Sequence, residues 1–428
     1  MNTAANADLD ESLSSQVVPS LRSNFSWTLV GGFVYSACQW GMISALAKLG
    51  SALLVGRFAL GLAITAPVFM FTNMQLRAVQ ATDARSEFAF ANYFSLRLVS
   101  SLTAFFLICL IAMAGRWDRS TGIVIVLVGL AKTIETLSDL IAGLLQKVER
   151  LNRVAISMML RGGLSLAAFG FVFWISRKLA DAVVALAAAR LLVFVLYDLR
   201  QARFAMQVRD RFLAFKWSRL KTLAVVSAPL GVVMTLVSLN VNIPRYLLAH
   251  VLGQAELGIF ASLAYLLVVV SLVINALGQA AVTRLSRSFA RGDIRHFRNV
   301  LAKLLVFAVV VLLFGIPAAQ SVARPLLTAI YRPEYGQHVT LFVIMVAIAG
   351  VSAIASFLGY GMTAARCFRM QVPVMAAMTA STVLFAFILI PRFGGRGAAY
   401  ALLIGAGVQV AGSAVVLHRA MHAQRRVA

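Results

Sequence analysis

Residues 338–361 read HVTLFVIMVAIAGVSAIASFLGYG, a run without one Asp, Glu, Lys or Arg. A helix needs roughly 20 such residues to cross the hydrocarbon core of a bilayer. A membrane-barrel strand needs about 9–11 and alternates apolar with polar side chains, which this run does not. Working outward, eleven further stretches have the same character: 27–47, 52–74, 92–114, 121–145, 154–176, 179–199, 222–249, 257–281, 300–322, 370–390 and 397–417. The chain of 428 residues is 61% hydrophobic and only 13% charged, with a mean hydropathy of +0.87. So few charges could not cover so much apolar side chain in water. The expected fold is therefore an all-α polytopic membrane protein of about twelve spans.

Charge distribution sets the expected orientation. Of 39 Lys and Arg, 24 fall in segments on the side of the N-terminus (counting Lys303, at the start of a span, with the basic segment 284–303), nine on the other side and six within spans. Such asymmetry follows the positive-inside rule and places both termini in the cytoplasm. It also explains a net charge of +24 without invoking nucleic acid. Residues 1–20, polar and acidic, lack the basic and apolar regions of a signal peptide. Two basic segments, 200–221 and 284–303, interleave aromatic and aliphatic residues with their charges. They read as amphipathic helices on an anionic inner leaflet, which makes anionic membrane lipid an expected partner.

The 200–221 segment divides the chain into six spans and six. The expected units are a tail at 1–26, a bundle at 27–199, a linker at 200–221, a second bundle at 222–417 and a tail at 418–428. An offset of 202 aligns span ends with span ends. Leu46 and Ala47 fall on Leu248 and Ala249; Gly56, Phe58 and Ala59 fall on Gly258, Phe260 and Ala261; Asn73 falls on Asn275. Two lobes in the same orientation would enclose a central cavity and could rock between two open states.

Six basic residues interrupt the spans: Arg57, Arg97, Lys132, Arg161, Arg190 and Arg245. Each costs about 2.5–3.5 kcal/mol near the bilayer centre. Arg57, Arg97 and Arg245 lie close enough to span ends to snorkel, or else join the other three as substrate-binding residues. Lys132 and Arg190 lie near the midplane and Arg161 at intermediate depth, which points to a water-filled cavity and an anionic guest. Lys132, Glu135, Asp139 and Gln146 share about a 60° arc of one helix, at about 100° per residue. One reading is a self-neutralising Lys132–Glu135 pair, with Asp139 served by Arg97, Arg161 or Arg190. The other is an ion-coupling site at Glu135 and Asp139. Pro67, Pro229 and Pro244 are expected to bend their spans.

Several chemistries have no support in the sequence. There is no GxxxxGK[ST] and no HExxH, and Cys38, Cys109 and Cys367 are isolated in apolar stretches. No cofactor and no metal is expected. The longest loop on the side away from the N-terminus, about 323–337, is small for an enzyme of glycan assembly.

Certain stretches carry a family resemblance. They are Asn242-Ile-Pro-Arg245 through Glu256-Leu-Gly-Ile-Phe260 and Asn275-Ala-Leu-Gly-Gln279 to Arg284 and on to 287, Leu76-Arg77 with Thr82-Asp83, and Gly143-Leu-Leu-Gln146. Tyr331-Arg-Pro-Glu-Tyr335, and Ile390-Pro391 with Gly394 and Gly397-Ala-Ala399, complete the set. The chain resembles the oligosaccharide flippases of the polysaccharide transporter (Wzx-type) family, kin to multidrug exporters and lipid II flippases. The resemblance implies two six-helix bundles. It implies alternating access that flips a polyprenyl-pyrophosphate-linked oligosaccharide across a bacterial inner membrane, with polysaccharide polymerase or export proteins as partners. It transfers no coupling residue. A drug or metabolite antiporter of the same fold, and a membrane enzyme of glycan assembly, remain as alternative readings.

Overall fold

A computed structural model describes residues 21–83, 87–206 and 211–427, and these are almost entirely helical. Residues 1–20, read above as a polar tail, and 207–210 of the linker lie outside the described residues. In lipid the backbone must satisfy its own hydrogen bonds, so a chain this apolar has little choice but helix.

Fifteen α-helices are described. In the first half they are α1 (Leu21–Leu49), α2 (Ala52–Asn73), α3 (Leu76–Thr82), α4 (Phe90–Ala114), α5 (Arg119–Lys147), α6 (Leu151–Ser176), α7 (Leu179–Val193) and α8 (Leu199–Ala205). In the second half they are α9 (Trp217–Leu252), α10 (Gln254–Leu266), α11 (Val268–Ala290), α12 (Ile294–Ile330), α13 (Val339–Ala364), α14 (Phe368–Phe393) and α15 (Gly395–Val427). Ten helical segments are long and apolar enough to span a membrane, and α10 with α11 forms an eleventh span bent by 43°. Helix α5, with 29 residues, has the length of a twelfth and differs from the others in carrying Lys132, Glu135 and Asp139. The side chains of Phe106, Phe171, Leu196 and Phe314 are between 62% and 72% exposed. Large apolar groups exposed on this scale mark a surface that faces lipid.

Several boundaries and bends differ from the sequence reading. Helices α9, α12 and α15 extend well past the apolar runs that announced them, because helical hydrogen bonding continues beyond the hydrocarbon. Segment 284–303 is accordingly not a separate surface helix. Helix α11 runs on to Ala290, Gly292 turns the chain at φ +73°, and Asp293 caps α12 by accepting from the His296 N–H at 2.9 Å. The basic side chains Arg284, Arg287, Arg291, Arg295, Arg298 and Lys303 are exposed on this hairpin. In the linker, α8 continues the preceding span through a π-helical turn at Phe194–Asp198. Phe212 packs on Phe90 and Phe94, while Leu213, Phe215 and Trp217 stay exposed. Pro67, Pro229 and Pro244 all sit inside unbroken helices; the broken span is the α10–α11 pair.

Helices of the first half pack on one another, α1 on α6, α6 on α7, α4 and α7 on α5, and those of the second half do the same, α12 and α15 on α13, α14 on α15. The halves meet where α2 crosses α10. At that crossing a Cβ on Gly56 would lie 1.6 Å from the carbonyl oxygen of Gln254, and a Cβ on Gly258 would lie 1.9 Å from the carbonyl oxygen of Ala52. Residues 52 and 56 are separated from 254 and 258 by the same offset of 202 that aligns the sequence halves. The two contacts are therefore the same contact made twice, as expected at a pseudo-twofold axis, and only glycine lets the backbones come so close. Leu46, Leu248, Phe58, Phe260, Ala59 and Ala261 are all buried around it.

One hydrophobic core runs through both halves at the end of the bundle opposite the chain termini, joining Phe58, Phe169 and Phe173 with Phe260, Tyr331 and Tyr335. At the terminal end the cores are separate. One, mostly from the first half, holds Phe90, Tyr93, Leu140 and Leu144. The other holds Leu285, Phe297, Leu358 and Leu417 from the second. The lobes thus share one core at one end of the membrane, while at the other the cores are separate and α9 reaches across, with Leu220 and Leu223 in the first-half core and Gly231 close to the Phe71 carbonyl.

Candidate functional site: a buried ion cluster and a neighbouring polar chamber

Helix α5 places Lys132 and Glu135 one turn apart, and α7 brings Arg190 against them. Arg190 Nη1 donates to Glu135 Oε2 at 2.7 Å, and Lys132 Nζ pairs with the same oxygen at 3.0 Å. The Tyr35 hydroxyl from α1 donates to Glu135 Oε1 at 2.9 Å. Arg190 also donates to the carbonyl of Ala131 at 3.3 Å. With an effective dielectric constant near 20, each pair is worth about 6 kcal/mol of Coulomb attraction. That is comparable with the several kcal/mol per ion lost on desolvation. The cluster is tenable because Glu135 answers two cations, yet it keeps one positive charge in excess.

Arg161 of α6 brings a further cation, faced by a second carboxylate, so the excess stays at one. It is buried, and its Nε has no hydrogen-bond partner. Glu135 and Asp198 lie within its electrostatic reach. Asp198, in the π-helical turn, is itself buried and accepts from the Ser157 hydroxyl at 2.6 Å. Lys132 remains about one-third exposed along its side chain, whereas Arg190 is 4% exposed. Lys132 is thus the accessible edge of a site whose interior is Arg190.

The remaining interrupting charges have other surroundings. Asp139 pairs at 2.8 Å with Arg77 of α3, whose Nε also reaches Gln146 at 3.3 Å. Of the three arginines proposed from sequence, Arg97 lies within electrostatic reach of Asp139, but the ion pair goes to Arg77, because α3 turns back across the end of α5 and supplies a nearer partner. Arg97 is 1% exposed and donates to Asn73 of α2, so it holds a helix joint instead of reaching the interface. Arg57 forms an ion pair with Asp118 at 3.0 Å and donates to Gln254 of the other half at 3.2 Å. Burial raises the Asp118 pKa, but hydrogen bonds from Ser120 and Thr121 and the Arg57 charge outweigh it and hold the carboxyl at about 2.

This Arg57 group is one of several contacts between the halves at the end opposite the termini. Lys48 donates to the Ala329 carbonyl at 2.9 Å, Arg332 donates to the Lys48 carbonyl at 3.3 Å, and Trp40 donates to the Tyr331 hydroxyl at 3.3 Å. Tyr331 in turn donates to the Ser262 carbonyl at 2.9 Å.

Arg245 of α9 lies in the second half, in the wall of a chamber of about 360 Å3. Asn240, Asn275, Ser352, Ser356 and Gln409 share that wall with apolar residues such as Phe260 and Met345. A second chamber of about 250 Å3 shares Asn275, Ser356 and Gln409 and continues past Tyr360 and Thr363 toward the terminal end. Tyr265 lies within electrostatic reach of Arg245, Arg190 and Glu135, and its neighbour Ala264 lines the chamber. The chamber and the ion cluster are therefore neighbours across the lobe boundary.

The sequence reading missed Tyr35, Arg77, Asp198 and the amide lining. Asp198 had a signal, an acid just inside the end of the sixth span. The others are ordinary polar residues that only packing brings together.

Similarities to known proteins agree with this architecture. Over 384 residues the chain is 26% identical to the capsular polysaccharide biosynthesis protein CapF of Staphylococcus aureus, covering 89% of this chain and 95% of that one. The fold matches the lipid II flippase MurJ in an inward closed conformation with a TM-score of 0.77 at 10% identity, over 92% and 87% of the two chains. It matches an inward-facing multidrug resistance MATE transporter of the MOP superfamily with a TM-score of 0.65 at 15% identity, over 97% and 98%. Residues 21–289, well over half of the chain, match the polysaccharide biosynthesis protein family, and to that family of multi-pass membrane proteins the chain belongs.

Proposed function

We propose that this protein is a flippase. It carries polyprenyl-pyrophosphate-linked oligosaccharide from the cytoplasmic to the outer leaflet of a bacterial inner membrane, for polysaccharide synthesis or export. The observation that carries the proposal is the buried cluster of Lys132, Arg190 and Arg161, three cations faced by two carboxylates, Glu135 and Asp198. A membrane protein keeps unbalanced positive charge at this depth for a ligand that is negative. A pyrophosphate in the cluster would take the place that Glu135 holds when the site is empty. The family and the flippase-like fold support the same reading.

Both termini face the cytoplasm in this proposal, because the basic hairpin at 284–303 and the basic linker lie at the terminal end. The lobe contacts around Arg57, Lys48 and Tyr331 then close the outer side, and the cluster is approached from the cytoplasm. Polysaccharide polymerase and export proteins would receive the flipped lipid, and anionic lipid would sit against the exposed arginines. Glu135 and Asp139 are the proposed coupling carboxylates. Glu135 is the stronger of the two, since its release from Arg190 and Lys132 is what ligand binding requires.

The test is charge reversal. Lys132→Glu and Arg190→Glu, produced at the level of the parent protein in a strain lacking it, should abolish polymer export and leave lipid-linked sugar in the inner leaflet. Unchanged export in both variants would sink the cationic site.

A further inference from the structure

The chamber in the second half lies outside the Lys132–Arg190 cluster, and its lining is specialised. Resting on the flippase reading above, we infer that it is a glycan subsite, binding the neutral sugars nearest the pyrophosphate while the Lys132–Arg190 cluster holds the phosphates. The substrate would then bridge the two lobes.

The chamber's polar groups are amides and hydroxyls, and Arg245 is the only ionised side chain in its described lining. A cationic guest would meet no carboxylate there. An apolar guest such as a polyprenyl chain would strip water from Asn240, Asn275 and Gln409 and offer no hydrogen bond back, which is unfavourable for each unpaired amide. The fold uses these groups only in part, Arg245 Nη1 donating to Asn242 Oδ1 at 3.4 Å. Asn240 Oδ1 and Arg245 Nε are buried without a hydrogen-bond partner. Gln409 has only a weak contact to the Met375 sulfur at 3.9 Å. Asn275 accepts one hydrogen bond, from Tyr360 at 3.2 Å, which leaves its amide donors available.

Amides both donate and accept, and so does a sugar hydroxyl. A pyranose also presents C–H faces, and Phe260 and Met345 supply apolar wall for them. The volume of about 360 Å3 lies in the range of small-molecule sites. Location completes the case. Tyr265 is within electrostatic reach of both Arg245 and the Glu135–Arg190 pair, and its helix neighbour Ala264 lines the chamber, so chamber and cluster are neighbours. The chamber continues past Gln409 toward Thr363, giving the next sugars room in the direction of the terminal end.

Three probes separate the possible occupants: farnesyl pyrophosphate, geranylgeranyl pyrophosphate, and farnesyl pyrophosphate bearing a neutral disaccharide. Binding is measured on the full chain in nanodiscs, for the parent, for Asn275→Leu and Gln409→Leu separately, and for Lys132→Gln with Arg190→Gln. The parent should bind the disaccharide probe about tenfold more tightly than the bare one, as one or two added hydrogen bonds give. Each chamber variant should lose that preference while keeping its affinity for bare farnesyl pyrophosphate, which also shows that it is folded. The cluster variant should weaken all three probes. A sugar preference that survives in both chamber variants, or its absence from the parent, overturns the glycan subsite and leaves the flippase reading intact. So does a gain from the longer prenyl chain that the chamber variants abolish, since the occupant is then lipid. Loss of bare-probe binding in both chamber variants also overturns it, because the chamber is then not a separate subsite. A parent that binds none of the probes removes the flippase reading and the subsite together.

Discussion

At the scale of single residues, Glu135 organises the centre of the first half. Its two oxygens answer Arg190, Lys132 and Tyr35 at 2.7, 3.0 and 2.9 Å, so removing any partner leaves a buried charge less well compensated. Breaking a buried ion pair from one side costs about 3–5 kcal/mol. Arg190→Ala should fall at the lower end, since Lys132 still serves the same oxygen. The double variant Arg190→Ala with Glu135→Ala should recover part of the loss, because no unpaired charge then remains. Thermal unfolding of the purified protein across the double-mutant cycle measures both. Equal destabilisation by the single and double variants would show that the pair contributes packing and not charge. Asp118 behaves differently because it lies at the membrane edge. Its pKa of about 2 is below the ordinary carboxylate value, so its contribution is complete above that ordinary range and fades only as pH falls toward 2. Closure of the Arg57–Asp118 contact should therefore be the same at about pH 5 and pH 8, read by labelling of a cysteine placed nearby. A pH gradient does not act on the protein through Asp118.

At the scale of elements, the α2–α10 crossing decides how the halves meet. A Cβ at Gly56 or Gly258 would overlap carbonyl oxygens at 1.6 and 1.9 Å. Backbone cannot step aside as a flexible side chain can, so the helices must separate. Gly56→Ala and Gly258→Ala should have the same effect, since they modify the two copies of one contact. Each should open the shared-core end of the bundle. The readout is Ser262→Cys, at a position buried in the parent, in a background with Cys38, Cys109 and Cys367 replaced by alanine. Labelling by a water-soluble maleimide should speed up several-fold in both glycine variants. An effect confined to one of them would argue against the pseudo-twofold relation.

At the scale of the whole molecule, the two lobes share a core at one end, and at the other keep separate cores linked through α9. Alternating access requires the joint at the shared-core end to break in each cycle. Cysteines in place of Arg57 and Gln254, whose side chains now touch at 3.2 Å, should be bridged by a short thiol crosslinker and stop flipping, with recovery on reduction. Flipping that continues in the crosslinked protein would mean that this end need not open. The same geometry explains why the ion cluster and the polar chamber lie in different lobes. A ligand held by both would feel the lobes move, and the lobes would feel the ligand.

The sequence by itself determined the class of fold, the number of spans, the repeat and the identity of the costly residues. Each is a local quantity: twenty apolar residues must form a helix in lipid, and a charge among them is visible wherever it points. The Lys132–Glu135 pair was legible for the same reason, since residues three apart share a helix face. Tertiary structure alone decided the partners. It gave Asp139 to Arg77, buried Arg97 against Asn73, turned Arg57 into a contact between lobes, and brought Arg190 and Tyr35 to one carboxylate. Asn240, Asn275 and Gln409 stand on α9, α11 and α15, and nothing in their spacing says that they face one chamber. Hydropathy measures what a side chain costs in lipid, but only the packing of helices says which neighbour offsets that cost.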